Sequence, residues 1–314
     1  MAANTYHLDI PGNPSTATSS KIRLNDRSNG RPLKILTEED WEFWRSNGYL
    51  IINKAVPLEY TKRTAQLLWE FEEKDPDDPT TWYTVQRAEM KMKELTNSGM
   101  VEIYNHQCLW DIRQYPKIYD TFCDIWGMQE LWVTIDRANL NLPAKPGFDF
   151  PGFIHWDYDP ETKPQNVQGL VALNDQTDED VGGFQCIPEL YRTYDTWKVS
   201  QPTDRDRFKP DVSGFEITKV MLKAGDLLVF NSLLPHGIRP NKSVDKVRMA
   251  QYVSMMPAEN HNEELRAWRI RSWDERLSPE GYAFPGDPRN WEQTRYERAS
   301  LNQLGRKLLG IDPW

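Results

Sequence analysis

Between residues 131 and 255 the chain is a succession of short segments in which apolar and polar residues alternate, each followed by turn-forming residues. One of them, residues 167–173, has the sequence Val-Gln-Gly-Leu-Val-Ala-Leu and is followed by Asn174 and Asp175. Short strands without long helices between them do not fit a doubly wound nucleotide-binding fold, in which strands and helices alternate. The pattern predicts a closed or sandwiched β architecture.

Residues 153–157, Phe-Ile-His-Trp-Asp, follow two Pro-Gly turns and are predicted to begin an extended strand. Side chains alternate along a strand, so His155 and Asp157 would lie on one face and Trp156 on the other. A third candidate ligand, His236, stands at the far end of a short apolar segment. Two histidines and one carboxylate leave open positions on a metal, the arrangement that non-haem Fe(II) oxygenases use.

A cation follows His236 at residue 248, in a segment where alternation places Arg248 and Tyr252 on the same face. A positive charge inside a barrel requires an anion. The planar guanidinium group forms two parallel hydrogen bonds with a carboxylate, so Arg248 is the candidate partner for the distal carboxylate of 2-oxoglutarate.

Four features, taken together, carry a resemblance to a known family. His155-Trp156-Asp157, the segment Gly-Gly-Phe-Gln-Cys-Ile-Pro at 182–188, His236 and Arg248 occur in one order along the chain. In this order and spacing the chain resembles the phytanoyl-CoA dioxygenase family of Fe(II)/2-oxoglutarate-dependent oxygenases over roughly residues 37–255. The resemblance implies a mainly β fold with surrounding helices (α+β) and a double-stranded β-helix core, the cupin-like jelly roll.

The resemblance also implies the chemistry. Fe(II) held by His155, Asp157 and His236 would use 2-oxoglutarate and O2 and release succinate and carbon dioxide. In related halogenases a small residue replaces the carboxylate, so the intact Asp157 favours hydroxylation or a related oxidation of a C–H bond.

Family contacts to 2-oxoglutarate map onto this sequence unevenly. Arg248 matches the carboxylate-binding position, and Arg239 is the alternative because it also follows His236 closely. Gln168 and Asn141 fall at positions of further co-substrate contacts. Phe153 would pack beside the co-substrate.

The chain departs from the family pattern two positions after the second metal histidine, where family members often have a serine and this chain has Ile238. The missing hydroxyl contact to the distal carboxylate would have to come from Gln168 or Tyr252. Three aromatic residues are candidates for the substrate pocket, with ordinary core packing as the alternative reading of each: Trp156, Tyr158 and Phe184.

The remaining sequence predicts the domain organisation. Residues 1–33 are rich in Pro, Ser, Thr and Asn and predict a flexible arm. Residues 34–314 predict one oxygenase domain, with its β-helix core at about 131–255 and a helical extension at 256–314. That extension is expected to lie across the barrel, with a lid or a homodimer contact as the alternative. Thr37 with Asp40 predicts a helix start, Gly48 and Gly127 predict helix ends, and 131–142 predicts one strand.

Composition excludes several partners. The net charge of −9 argues against a nucleic-acid surface, and no apolar run is long enough to span a membrane. The first residues lack a signal-peptide pattern, and the three cysteines, Cys108, Cys123 and Cys186, have no disulfide or metal spacing. These features predict a reducing, cytoplasmic location. His106 is predicted to be structural, because no other ligand lies at chelating spacing.

Three function classes stay open at the level of sequence. The first is an oxygenase acting on a small organic substrate: a secondary metabolite, an amino acid or an acyl derivative. The aromatic content of 12% favours a small apolar substrate or natural product, and no compact Lys/Arg cluster outside the C-terminal helices suits the phosphates of coenzyme A. The alternatives are a cupin-like metalloenzyme that does not use 2-oxoglutarate and a non-catalytic binding relative.

Overall fold

The computed structural model describes residues 23–84, 99–145, 152–163, 165–279 and 284–314. Within these ranges the β-strands are β1 Tyr49–Ile52, β2 Met100–Val101, β3 Leu131–Val133, β4 Ala138–Asn141, β5 Val167–Ala172, β6 Gly183–Cys186, β7 Thr218–Lys219, β8 Leu227–Asn231, β9 His236–Arg239, β10 Arg248–Tyr252 and β11 Met255–Pro257. The α-helices are α1 Glu38–Asn47, α2 Leu58–Phe71, α3 Gln107–Arg113, α4 Pro116–Trp126, α5 Pro188–Trp197, α6 Glu263–Glu275, α7 Trp291–Arg295 and α8 Gln303–Leu309.

Two antiparallel sheets face each other. The larger has the strand order β1-β8-β5-β10-β4-β2 and the smaller β7-β6-β9. Their inward side chains form one apolar cluster, in which Leu170 and Phe230 of the larger sheet meet Phe184 of the smaller. The sheets are not closed into a continuous barrel. The predicted jelly-roll core with surrounding helices is confirmed.

Helices cover the outer face of the larger sheet. Trp44 of α1, Leu68 of α2 and Phe122 of α4 are fully buried in one cluster with the outward side chains of the larger sheet, such as Val171 and Val229. Burying a large apolar side chain contributes about 1.5–3 kcal/mol, so this layer holds the sheet rigidly behind the site.

The predicted helix boundaries are confirmed where they depend on local chemistry. Thr37 accepts a hydrogen bond from the Asp40 backbone N–H, and the Asp40 carboxylate accepts from the Thr37 backbone N–H, which completes a capping box. Gly48, at φ 73°, ends α1 in the left-handed region, and β1 starts at the next residue. Gly127, at φ 67°, ends α4 in the same way.

The single strand predicted for residues 131–142 is wrong, because the chain makes two strands there. β3 pairs with β11, whereas β4 pairs with β10 in the larger sheet. Between them the Asp136 carboxylate accepts the hydrogen bond of the Arg137 backbone N–H at 2.7 Å. A side chain that binds a neighbouring backbone N–H removes it from the ladder, which separates the two strands.

The C-terminal helices pack onto the domain. Arg269 of α6 is 1% exposed and donates to the backbone carbonyls of Leu309 and Val133, at 3.1 and 2.6 Å. Of the predicted N-terminal arm, residues 1–22 lie outside the described part, and Asn25 accepts a hydrogen bond from the Trp44 indole at 2.6 Å. The domain boundary at residue 34 stays a prediction. No helix in the described ranges has the length and apolar character needed to cross a membrane.

Candidate metal centre and co-substrate site

Three potential metal ligands from two separate segments of the chain lie close together. One ligand atom from each of His155, Asp157 and His236 lies within 4.8 Å of the others. Nε2 of His155 is 3.1 Å from Oδ1 of Asp157, and Nε2 of His236 is 3.3 Å from Oδ2. Burial opposes ionisation of Asp157, but its hydrogen bonds with both histidines outweigh burial and hold the pKa well below its usual value. An ionised carboxylate between two imidazoles suits a divalent transition metal.

Main-chain hydrogen bonds hold the two histidines together. The His155 N–H donates to the His236 carbonyl at 2.9 Å, and the His236 N–H donates to the His155 carbonyl at 3.0 Å. This close approach depends on Gly237, because a Cβ atom there would lie 1.8 Å from the Phe153 carbonyl oxygen.

The strand predicted to begin at residue 153 is wrong, since this segment makes only the isolated bridge at His155. The Trp156 N–H bonds instead to the Phe208 carbonyl, at 2.8 Å, and draws the chain away from β9. The first of the two predicted Pro-Gly turns, at residues 146 and 147, lies outside the described residues.

The ring of His236 is fixed from both sides. Its Nδ1 lies 2.9 Å from the Leu234 carbonyl, which accepts the ring N–H and leaves the Nε2 lone pair facing the cluster. Phe184 stacks on the ring with a centroid distance of 5.6 Å, and Phe230 lies at 4.5 Å. Phe153 contacts the ring of His155 at 4.7 Å.

The three predicted substrate-pocket residues occupy different surroundings. Phe184 adjoins His236, one of the candidate metal ligands. Trp156 is 1% exposed, donates from its indole to the Leu233 carbonyl at 2.9 Å and packs against Tyr194 of α5, away from the cluster. The Tyr158 hydroxyl accepts a hydrogen bond from the Asn166 amide at 2.7 Å.

Gln168, a predicted co-substrate contact, lies beside the candidate metal ligands. Its Nε2 donates to Oδ2 of Asp157 at 2.5 Å. On β5 it pairs in register with Phe230 of β8, the residue that contacts His236.

Arg248 is the first residue of β10 and is fully buried. Its Nη1 donates to Oδ1 of Asn139 at 2.6 Å and its Nε to Oε1 of Gln176 at 3.4 Å. Its Nη2 has no partner in the described part of the chain, and neither has Oδ1 of Asn141, the residue paired with Arg248 in register. Sequence reasoning missed Asn139, although alternation along β4 places it on the same face as Asn141; Gln176 had no such signal.

A second buried guanidinium group lies nearby. Arg239, 3% exposed, donates to the Phe184 carbonyl at 2.9 Å, while its Nε has no partner among the described residues. Burial, together with the positive charge of Arg248, lowers the pKa of Arg239. Two buried cations with unpartnered N–H groups require an anion, and 2-oxoglutarate fits this requirement through its distal carboxylate. Ile238, in the place of the family serine, pairs in register with Phe184.

Two histidines and one carboxylate, grouped on an antiparallel jelly roll, match the ligand set that non-haem Fe(II) oxygenases use. The family model Phytanoyl-CoA dioxygenase (PhyH) matches residues 44–250, and the chain belongs to this family. Family and site together support an iron- and 2-oxoglutarate-dependent oxygenase, and hence an oxidoreductase.

The chain is also similar to individual proteins. An Aspergillus versicolor protein named Ava biosynthesis cluster protein O is 24% identical over 273 residues, which cover 78% of this chain and 84% of the relative. The structure of GlcNAc Inducible Gene 2 from Candida albicans aligns with a TM-score of 0.65 at 12% identity, covering 90% of this chain and 78% of that one. HygX from Streptomyces hygroscopicus, solved with nickel and 2-oxoglutarate bound, aligns with a TM-score of 0.50 at 16% identity, covering 71% and 88%. The two solved structures share the fold.

Proposed function

We propose that the chain is a non-haem Fe(II)- and 2-oxoglutarate-dependent dioxygenase that oxidises a C–H bond of a small organic substrate and releases succinate and carbon dioxide. His155, Asp157 and His236 would hold the iron. The observation that carries the proposal is the convergence of their three ligand atoms within 4.8 Å. Iron with 2-oxoglutarate supplies the activation of O2 that such an oxidation requires.

Side chains of the protein would bind and orient 2-oxoglutarate. Arg248 binds the distal carboxylate of 2-oxoglutarate through its unpartnered Nη2, while Asn139 and Gln176 hold the guanidinium group in place. Arg239 adds a second positive charge at the same end of the fold. Both guanidinium groups are buried, so their attraction for a carboxylate is screened less than it would be in water.

Phe184 and Phe230 protect the metal side of the site. Both rings are buried, and both contact the ring of His236, which they shield from water. Asp157 supplies the carboxylate ligand, so we propose hydroxylation or a related oxidation in preference to halogenation.

For the substrate we propose a secondary metabolite. The relative from Aspergillus versicolor carries the name of a biosynthesis cluster, and 12% of the residues of this chain are aromatic. A panel of compounds that contains secondary metabolites, amino acids and acyl derivatives would test this proposal, through the succinate that is released with each compound. Turnover of acyl-CoA thioesters alone would contradict the proposed substrate class.

The experiment is reconstitution with Fe(II) under nitrogen, followed by titration with 2-oxoglutarate and then exposure to air. We expect a visible metal-to-ligand charge-transfer band on titration and succinate after air is admitted, both absent from His155→Ala. Iron binding without the band or succinate would replace the proposal with a metalloenzyme that does not use 2-oxoglutarate. Failure to bind iron would leave a non-catalytic binding protein.

A further inference from the structure

We propose that Gln168 is a positioning residue for the metal-binding carboxylate, and that it contributes to metal affinity and not to binding of the distal carboxylate of 2-oxoglutarate. The observation is the hydrogen bond from its Nε2 to Oδ2 of Asp157, at 2.5 Å. The proposal rests on the metal centre described above, and it changes the role that family resemblance gives to this position.

The contact is directional and depends on the amide. An amide N–H donates, whereas an ionised carboxylate only accepts, so a hydrogen bond between Gln168 and Asp157 has one polarity. Among the described residues, the carboxylate is otherwise held only by the two histidines, at 3.1 and 3.3 Å, and the Nε2 atoms of these histidines are the ones needed for a metal. Gln168 is therefore the described partner of Asp157 that remains available when both imidazoles bind the ion.

The scaffold fixes Gln168 for this purpose. It occupies the second position of β5, in the interior of the larger sheet between β8 and β10. Its register partner Phe230 packs against His236 with a centroid distance of 4.5 Å. Gln168, which donates to Asp157, and Phe230, which packs on His236, thus lie on the adjacent strands β5 and β8. This pairing links the orientation of the carboxylate to that of the imidazole.

The sheet register separates Gln168 from the carboxylate-binding end. Gln168 is four residues from Ala172, which pairs with Ala250, and Arg248 lies two residues further in the same direction. At about 3.3 Å per residue the backbone of Gln168 is roughly 20 Å along the sheet from that of Arg248. A glutamine side chain bonded to Asp157 does not also reach an anion at the Arg248 end.

Outer groups that orient metal ligands typically change metal affinity about 10- to 100-fold when they are removed. Gln168→Leu and Gln168→Met both keep a similar volume and remove the donor. Gln185→Leu on β6 is the matched control, because Gln185 pairs with Gly237 on the smaller sheet and makes no hydrogen bond with a metal ligand.

The experiment measures the dissociation constant for Mn(II) by calorimetry, without co-substrate, and then that for 2-oxoglutarate at saturating Mn(II). We expect Gln168→Leu to weaken Mn(II) binding about 10- to 100-fold, to leave 2-oxoglutarate affinity within about twofold, and Gln185→Leu to match the wild type. Circular dichroism confirms that each variant is folded. If Gln168→Leu does not fold, Gln168→Met, which also lacks the donor, carries the same comparison.

Unchanged Mn(II) affinity in both Gln168 variants would overturn the positioning role. Weaker 2-oxoglutarate binding with unchanged Mn(II) affinity would establish a co-substrate contact in its place. If the wild-type protein binds Mn(II) but not 2-oxoglutarate, the proposed oxygenase function fails while the role of Gln168 is still decided by the metal titration.

Discussion

Replacing Arg248 by Met tests the co-substrate site most directly. In the structure Nη1 of Arg248 is bonded to Asn139, so Nη2 is the nitrogen available to a carboxylate. One hydrogen bond to a charged partner contributes about 1.5–3 kcal/mol. A loss of about 1.5–3 kcal/mol corresponds to a rise in the dissociation constant for 2-oxoglutarate of roughly 10- to 150-fold, since each 1.4 kcal/mol is tenfold.

The same variant has an opposite expected effect on the protein without ligand. Arg248 is fully buried, has no carboxylate bonded to it in the described part of the chain and repels Arg239. Removing a buried charge that lacks a counter-ion relieves its desolvation and this repulsion, although the bonds to Asn139 and Gln176 are lost. We expect Arg248→Met to be at least as stable as the wild type before 2-oxoglutarate is added.

The assay is thermal unfolding with Ni(II), which prevents turnover, at a 2-oxoglutarate concentration 100 times the wild-type dissociation constant. There the ligand stabilises the wild type by about 2.7 kcal/mol, whereas a variant with affinity weakened about 100-fold gains only about 0.4 kcal/mol. Arg192→Met, at an exposed arginine bonded to Asn47, is the control and keeps the wild-type response. A change in affinity below threefold for Arg248→Met would refute the assignment, and Arg239→Met would then show whether Arg239 binds the anion.

Three further predictions concern other residues. Gly237→Ala puts a Cβ atom 1.8 Å from the Phe153 carbonyl oxygen, so we expect loss of the thermal stabilisation by Ni(II); retained stabilisation would contradict this. Burial raises the pKa of Glu292 from 4.5 to about 7, so the protonated side chain stabilises the folded state. Its contribution to the free energy of unfolding, about 3 kcal/mol, is full below pH 4.5 and is lost as the pH rises through 7. Urea unfolding across this range should show that fall in the wild type and not in Glu292→Gln. Burial lowers the pKa of His106 from 6.5 to about 4, so the contribution of the neutral ring to the free energy of unfolding is lost as the pH falls from 6.5 to 4. His106→Asn keeps a side chain that can cap the helix, so its free energy of unfolding should fall less over this range in the same urea titration.

Sequence patterns were most informative where a short stretch sets its own structure. The capping box at Thr37 and the left-handed glycine at Gly48 depend only on residues within one helical turn. Alternation of side chains also placed His155 and Asp157 together with Trp156 opposite, although one bridge is present there and not a strand.

Features that depend on distant partners could not be predicted from the same patterns. The break between β3 and β4 also depends on their pairing with strands of two different sheets, and the sequence of 131–142 does not indicate those partners. The partner of Gln168 depends on the register of β5 with β8 and on the fold of the segment that carries Asp157. His106 was predicted to be structural, but its role as the N-cap of α3, accepting from the Cys108 N–H, depends on a helix start that its neighbours do not mark.

The paired main-chain bonds between His155 and His236 have a thermodynamic consequence. Because the backbone already sets the separation of the two imidazoles, an incoming ion has to immobilise little more than one carboxylate and the rings themselves. Most of the conformational entropy of assembling the centre is lost during folding, before any metal arrives. We therefore expect the empty protein to remain folded and to exchange one divalent ion for another without passing through an unfolded state.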